Sequence, residues 1–256
     1  MSLLERLFDE AKEGKGCVVF IGGKAGSGKT RLINELRGFA YSRGAVFCSG
    51  KSYRTSYSVP YSLVREVLED YITRIERMPQ EVRSALINRM QEAVGQLGKE
   101  IEKITPLVRN LWGDQPALVK LEPFKEHTRF LLTAGRFIRA MSSEDVPVVM
   151  FLDDVQWIDG SSVEVIGEAV KGIEKSNLLI VMAYREEEIE ENEAVKKLMD
   201  KIKEGASRYE EVKVRHLSRE ETTTMISEML SSEISEVQRL AEKIYSLSEG
   251  LSLIHI

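Results

Sequence analysis

One octapeptide restricts the possible folds of this chain more than any other feature. It follows the pattern G-x-x-x-x-G-K-[ST] and consists of Gly23, Lys24, Ala25, Gly26, Ser27, Gly28, Lys29 and Thr30. The apolar run Cys17–Ile21 precedes it, and a helical pattern of apolar residues follows from Lys29 onward. A buried strand, a glycine-rich loop and a helix in this order are typical of a phosphate-binding loop, or P-loop, in an α/β protein.

Each kind of residue in this loop has a chemical reason. Glycines allow a tight turn in which successive N–H groups point at phosphate oxygens, and the following helix adds the positive end of its dipole. We expect Lys29 to supply a mobile cation for the β- and γ-phosphates and the Thr30 hydroxyl to ligate Mg²⁺. The sequence therefore predicts a binding site for ATP with Mg²⁺ at Gly23–Thr30.

A second predicted half of the site follows the apolar run Val148–Leu152, which ends in Asp153 and Asp154. Ligands bind at the carboxyl edge of open α/β sheets, where these carboxylates would lie. Asp153 is predicted to hold Mg²⁺ through water, and Asp154 to orient or deprotonate the attacking water. Aspartates also end strands at turns for purely structural reasons, but the P-loop upstream favours the catalytic interpretation.

Strand and helix patterns alternate along the chain, which predicts an α/β P-loop NTPase with a central parallel sheet flanked by helices. A second strand is predicted at Ala45–Cys48, helices at Ser161–Lys175 and Glu188–Lys203, and a last short strand at Val212–Val214. We divide the chain into an ATPase core (1–215) with a helical insertion (about 61–140), the start of a C-terminal helical lid (216–250) and a tail (251–256).

Composition limits the partners. The net charge of −5 gives no overall attraction to nucleic acid, although a local basic patch is not excluded. No apolar run reaches the roughly 18 residues of a membrane span, and the N-terminus lacks a secretory signal, so we expect a cytoplasmic protein without a membrane partner. Cys17 and Cys48 lie in apolar, strand-like segments and are predicted to be reduced, buried thiols.

The segment Phe151–Asp159, followed by Ser161 and Ser162, resembles the Walker B segment of AAA-type ATPases of the STAND and Orc-like class. This class includes the ATPase modules of large LuxR-type regulators. Leu178–Arg185 resembles their next strand, and the resemblance implies that Arg185 senses the γ-phosphate. The alternative is a surface ion pair between Arg185 and the glutamates that follow it.

The resemblance extends to other segments. Tyr57–Tyr61 resembles the segment that opens the helical insertion, Met1–Leu7 the second half of the box with which family members begin, and Tyr245–Gly250 the start of their lid motif. Leu251–Ile256 is the hexapeptide that a transposon adapter used in DNA library preparation encodes in one frame; a natural apolar tail is the alternative. We expect an adapter-derived tail and a natural protein that continues beyond Gly250, which sequencing of the native gene would test.

The resemblance implies an ATP-binding, slowly hydrolysing switch in a larger regulatory protein, with a regulatory or effector region beyond this chain and a homo-oligomer as a candidate assembly. The alternative is a DNA-associated, Orc-like ATPase that contacts DNA only through regions outside this chain. A small-molecule kinase shares the P-loop, but the Asp153–Asp154 pair and the Tyr184–Arg185 strand end fit NTP hydrolysis better. The insertion is either a sensing or partner surface or simply packing around the core.

Overall fold

The computed structural model describes residues 1–55, 58–189, 192–205 and 208–248, and these residues form a five-stranded sheet. Its spatial order is β2-β3-β4-β1-β5, and every neighbouring pair is parallel. The strands are β1 (Cys17–Gly22), β2 (Val46–Lys51), β3 (Val148–Asp153), β4 (Leu178–Tyr184) and β5 (Tyr209–Lys213). All the carboxyl ends therefore lie at one edge, which confirms the predicted α/β fold with a central parallel sheet.

Helices connect and cover these strands. They are α1 (Ser2–Lys12), α2 (Lys29–Ser42), α3 (Ser62–Ile75), α4 (Gln80–Val94), α5 (Arg109–Trp112), α6 (Pro123–Ala140), α7 (Gly160–Ala169), α8 (Glu186–Ile189), α9 (Glu193–Gly205), α10 (Arg219–Leu230) and α11 (Ile234–Ser248). Short 3₁₀ turns occupy Gly95–Lys103, Pro106–Val108, Val155–Trp157 and Ile173–Lys175.

The sheet has a separate apolar core on each face. Because side chains alternate along a strand, Val18 and Phe20 of β1 point into one core and Val19 and Ile21 into the other. Helices α3, α4, α6, α7 and α9 supply the first core, and α1 and α2 supply the second. Both faces of the central strands are therefore covered, which explains why their sequences are continuous apolar runs. Cys17 and Cys48 are buried free thiols, as predicted.

Several elements differ from their predicted bounds. The helix predicted to reach Lys175 ends at Ala169, and Gly172 then adopts a φ of +77°, which an α-helix cannot accommodate. The helix predicted from Glu188 is interrupted, because α8 ends at Ile189 and α9 begins at Glu193. The last strand covers Tyr209–Lys213; it lies at the sheet edge with no fully buried residue, so it lacks the apolar run that marks the other strands.

Some sequence features lie outside the described residues. These are Tyr57 in the segment that resembles the opening of the insertion, Gly250 in the lid motif, and the tail Leu251–Ile256. The division into core, insertion and lid stays a prediction. Among the described helices, none is both long enough and apolar enough to cross a membrane.

Candidate functional site

The carboxyl edge of the sheet forms an open cleft of about 1130 Å³. It brings together most of the residues predicted from the sequence: Ala25, Gly26, Ser27, Gly28, Lys29, Thr30, Asp153, Asp154 and Arg185. The other two, Gly23 and Lys24, adjoin the cleft through their backbone carbonyls, which accept hydrogen bonds from Lys29. These residues end or follow three strands, β1, β3 and β4, and the end of β2 also lines the cleft.

The backbone of the P-loop requires its glycines. Gly26 and Gly28 have φ angles of +74° and +99°, which side chains other than hydrogen disfavour. A Cβ atom on Gly23 would lie 2.5 Å from the carbonyl oxygen of Val214 and 2.7 Å from Ser27 Oγ. Among the described residues, no side chain caps the first turn of α2, so its free N–H groups are available to an anion.

Lys29 lies folded back over the loop. Its Nζ donates hydrogen bonds to the carbonyl oxygens of Gly23 at 2.6 Å and Lys24 at 2.8 Å. Partial burial and the positive charge of Arg185 lower the pKa of Lys29, whereas the nearby carboxylates raise it, and the net pKa is below the ordinary value. Neutral carbonyls are weak partners for an ammonium group, so Lys29 can exchange them for phosphate oxygens.

The two aspartates occupy the end of β3 in different backbone conformations. Asp153 is the last strand residue, and its Oδ1 accepts a hydrogen bond from the Asp154 backbone N–H at 3.0 Å. Asp154 has a φ of +50°, in the left-handed region that non-glycine residues rarely adopt. Such conformations cluster at functional sites, where the surroundings hold them in place. Here Gln156 does so, because its Nε2 donates to Asp154 Oδ1 at 3.0 Å.

Lys51 is a residue of the site that the sequence did not reveal. It pairs in register with Asp153 between β2 and β3, and its Nζ lies 2.9 Å from Asp153 Oδ2 and 2.5 Å from Asp154 Oδ2. The second strand was predicted to end at Cys48, because Ser49 and Gly50 interrupt the apolar run. If the strand is extended by three residues, Lys51 lies at the carboxyl edge of the sheet. The sequence could therefore have indicated Lys51 as a residue of the site.

Lys51 and its neighbours keep Asp154 ionised. Burial raises the pKa of Asp154, but hydrogen bonds from Lys51 and Gln156 and the charges of Lys51 and Arg185 lower it, and the lowering prevails. Burial lowers the pKa of Lys51, and its contacts with Asp153 and Asp154 raise it above the ordinary value. A carboxylate with a lowered pKa accepts hydrogen bonds well and protons poorly, which suits it to orienting a water molecule.

Arg185 follows β4 and contacts one carboxylate inside the cleft and one outside it. Its Nε is 3.5 Å from Asp154 Oδ1 inside the cleft, and its Nη1 is 3.2 Å from Glu188 Oε1. Its backbone N–H donates to Oε1 of the fully buried Gln156 at 3.2 Å. Gln156 therefore connects Asp154 to the end of β4, and its own backbone carbonyl accepts a hydrogen bond from Asn192.

Asp159 connects the site to the helical insertion. This buried carboxylate caps α7 by accepting hydrogen bonds from the Ser162 backbone N–H at 2.9 Å and hydroxyl at 2.6 Å. It also accepts from the Tyr61 backbone N–H at 2.9 Å and the Ser62 hydroxyl at 3.1 Å, at the start of α3. Between Asp154 and Asp159, Trp157 is half-buried beneath the guanidinium of Arg54, 5.1 Å from its ring centroid.

The residues present fit a magnesium ion. Thr30 is exposed in the first turn of α2, Asp153 is half-buried at the end of β3, and both residues line the cleft. Hydroxyl and carboxylate oxygens are ligands that Mg²⁺ accepts. The ammonium group of Lys51 already lies at Asp153 Oδ2, which shows that a cation fits against this oxygen.

A family model for the AAA ATPase domain matches residues 1–181. The chain belongs to the AAA ATPase domain family. The match includes the P-loop, β2, the insertion helices and the Asp153–Asp159 segment, and it ends before Arg185. This AAA ATPase domain therefore has the fold, and the kind of nucleotide site, that its loop predicts.

Two relatives align with part of this chain. Over 165 residues, or 64% of its length, it is 28% identical to hybrid signal transduction histidine kinase G of Dictyostelium discoideum. In an alignment of 214 residues that covers 72% of this chain, it is 25% identical to an uncharacterized protein, R02095, of Rhizobium meliloti. The chain spans only 5% and 18% of the lengths of these two relatives.

Solved structures also resemble this domain. A Walker-type ATPase of Pyrococcus abyssi is 16% identical, with a TM-score of 0.47, covering 98% of this chain and 63% of that one. The Drosophila ORC bound to DNA is 12% identical, with a TM-score of 0.42, covering 96% and 47%. The Aeropyrum pernix ORC1 protein in complex with DNA is 16% identical, with a TM-score of 0.38, covering 89% and 47%.

Proposed function

We propose that this AAA ATPase domain binds MgATP in the cleft, hydrolyses it slowly and acts as a nucleotide-controlled switch in a larger regulatory protein. The observation that carries the proposal is the convergence of the P-loop, Asp153, Asp154 and Arg185 on one cleft at the sheet edge. A structural P-loop would not need two carboxylates and an arginine from neighbouring strands beside it.

The residues have separate roles in binding. Lys29 leaves the carbonyls of Gly23 and Lys24 and contacts the β- and γ-phosphates, while the free N–H groups of α2 surround the phosphate oxygens. Thr30 and Asp153 hold Mg²⁺, which when bound neutralises charge on the phosphates. The loop needs little rearrangement, since Gly26 and Gly28 already hold their left-handed conformations.

Asp154 orients the attacking water. Its pKa is lowered, and Gln156 and Lys51 hold its oxygens, so its direction is set before the water binds. The same lowered pKa makes Asp154 a weak general base. Slow hydrolysis is part of the proposal, because it gives the ATP-bound state the lifetime that a switch needs.

Arg185 provides a route from the nucleotide to the rest of the domain. In contacting a γ-phosphate it would give up its 3.5 Å contact with Asp154, and this occurs with ATP but not with ADP. Only such a differential contact lets a ligand favour one conformation. Through Gln156 and Asn192 the change reaches the start of α9, which packs against α7.

A switch needs a second region on which to act, and one relative supports a signalling role for that region. The Dictyostelium relative is named as a signal transduction kinase, and the chain matches a small part of it. We infer that this domain works in the cytoplasm with a regulatory or effector region outside the present chain, and that it is able to form a homo-oligomer.

Hydrogen–deuterium exchange tests the switch. The Asp154→Asn variant, which should retain ATP, is compared without nucleotide, with MgATP and with MgADP. We expect MgATP to slow exchange in β4, α8 and α9 more than MgADP does, because Arg185 then contacts the γ-phosphate. Lys29→Ala, carrying Asp154→Asn as well, should show neither effect. Equal exchange with ATP and ADP throughout the domain would contradict the switch while leaving nucleotide binding intact.

A further inference from the structure

The two carboxylate oxygens of Asp153 have different partners, and the ammonium group of Lys51 contacts the oxygen that a metal ion would approach. Its Oδ1 is occupied by the Asp154 backbone N–H at 3.0 Å, a contact set by the chain itself. Its Oδ2 contacts Lys51 Nζ at 2.9 Å. The contact with Lys51 is therefore the exchangeable one.

None of the other cations among the described cleft residues has a recorded ion pair with Asp153. Lys29 Nζ lies on the carbonyls of Gly23 and Lys24, and Arg185 Nε faces Oδ1 of Asp154. Lys51 alone, among the cations of the described cleft residues, is recorded within ion-pair distance of both aspartates. Two adjacent carboxylates in a partly buried site repel each other, and Lys51 offsets this repulsion.

Lys51 is anchored at its backbone, whereas its side chain is partly exposed. The strand register places it opposite Asp153, and its N–H donates to Glu66 Oε2 at 3.2 Å. Its side chain is 40% exposed, so the ammonium group can turn to solvent, where water replaces its contacts with the carboxylates. Ion pairs of this exposure contribute little net stability, and a divalent ion can therefore compete with Lys51.

We propose that Lys51 is an exchangeable counter-cation of the Asp153–Asp154 pair, displaced from Asp153 by the divalent metal that accompanies the nucleotide. Lys51 is thus a positioning residue that sets how much Mg²⁺ the domain needs for loading. The inference rests on the proposed function for the identity of the site, but its first test needs no nucleotide.

Removing the charge should have opposite effects with and without metal. Without metal, the positive charge of Lys51 reduces the repulsion between the triphosphate and the two carboxylates. Lys51→Met should therefore weaken the binding of metal-free ATP. With metal, Lys51 competes for Asp153, so Lys51→Met should bind the metal more tightly. A residue that merely supports the fold would change both affinities in the same direction.

The first experiment titrates nucleotide-free protein with Mn²⁺ and follows the free ion by electron paramagnetic resonance. We expect Lys51→Met to bind Mn²⁺ about ten-fold more tightly than wild type, since one positive charge beside the site is removed. Lys51→Arg should behave as wild type, and adding Asp153→Asn to Lys51→Met should abolish the gain. Lys171→Met, which removes an exposed lysine outside the cleft, is the matched control. Unchanged or weaker Mn²⁺ binding by a folded Lys51→Met variant would overturn the inference.

The second experiment uses a fluorescent ATP analogue, with and without EDTA, over a range of Mg²⁺ concentrations. Lys51→Met should reach half-saturation at a lower Mg²⁺ concentration, by about ten-fold, and bind the analogue more weakly in EDTA. A shift of both affinities in the same direction would overturn the inference. A wild-type protein that binds no analogue with Mg²⁺ would instead contradict the proposed function, while the Mn²⁺ titration would still decide the role of Lys51.

Discussion

Different kinds of contact stabilise the carboxyl edge of the sheet and the helical insertion. At the edge, Asp154 forms ion pairs with Lys51 and with Arg185, whose charged side chains are partly exposed. In the insertion, α3 and α6 are held by fully buried rings such as Tyr71 and Phe137. Exposed ion pairs contribute little stability, whereas buried rings contribute much. Substitutions at the edge should therefore change nucleotide chemistry, and substitutions in the insertion should change stability.

Phe137→Ala should have the largest effect and should act on stability alone. Phe137 is fully buried and packs edge-to-face on Trp112, with ring centroids 5.6 Å apart. We expect a loss of about 3–5 kcal/mol in the free energy of unfolding, measured by urea denaturation. The MgATP concentration for half-saturation, measured well below the melting temperature, should stay at the wild-type value. A large change in that concentration would contradict the prediction that substitutions in the insertion act on stability and not on nucleotide binding.

Asp154→Asn should show the opposite pattern. The amide keeps the shape but not the charge that orients water, so kcat should fall by about 100-fold while ATP still binds. The variant should melt within a few degrees of wild type, because Asp154 contacts only partly exposed cations and Gln156. Steady-state hydrolysis and thermal melting measure the two quantities. A turnover equal to that of wild type would remove Asp154 from the reaction.

Asp159→Ala should affect both regions, because Asp159 joins them. The change leaves the backbone N–H groups of Tyr61 and Ser162 without their acceptor and removes the cap of α7. We expect a loss of about 2 kcal/mol in unfolding free energy and a smaller fall in turnover. Asp159→Asn, which keeps one acceptor oxygen, should lose less than the alanine variant. Unchanged stability in Asp159→Ala would show that the two regions are joined elsewhere.

Phe124→Ala should have the smallest effect. Phe124 lies in the insertion but is 81% exposed, so burial and not membership of the insertion decides the outcome. The free energy of unfolding should change by no more than about 0.5 kcal/mol, and hydrolysis should not change. Denaturation curves of Phe124→Ala and Phe137→Ala, recorded side by side, make this test. A loss from Phe124→Ala as large as that from Phe137→Ala would contradict it.

The same two regions differ in how far the sequence predicts them. The P-loop and the Asp153–Asp154 pair are local patterns in which strand, loop and function follow one another within a few residues. Lys51 meets Asp153 across 102 positions of sequence, and Tyr61 meets Asp159 across 98. Such pairs depend on strand order and helix packing, which local patterns do not encode. Local patterns were enough to predict that the insertion is helical. They did not predict its buried contacts, because those contacts join residues that are far apart in the sequence.

The central claim is that this domain binds MgATP through its P-loop. Isothermal titration calorimetry of the wild type and of Lys29→Ala with MgATP tests this claim most directly. We predict saturable, Mg²⁺-dependent binding by wild type and an affinity about 100-fold lower for Lys29→Ala, because the charge facing the phosphates is lost. Both proteins should have the same melting temperature within a few degrees, since Lys29 contacts only the carbonyls of its own loop. Equal affinities of the two proteins for MgATP would contradict the account.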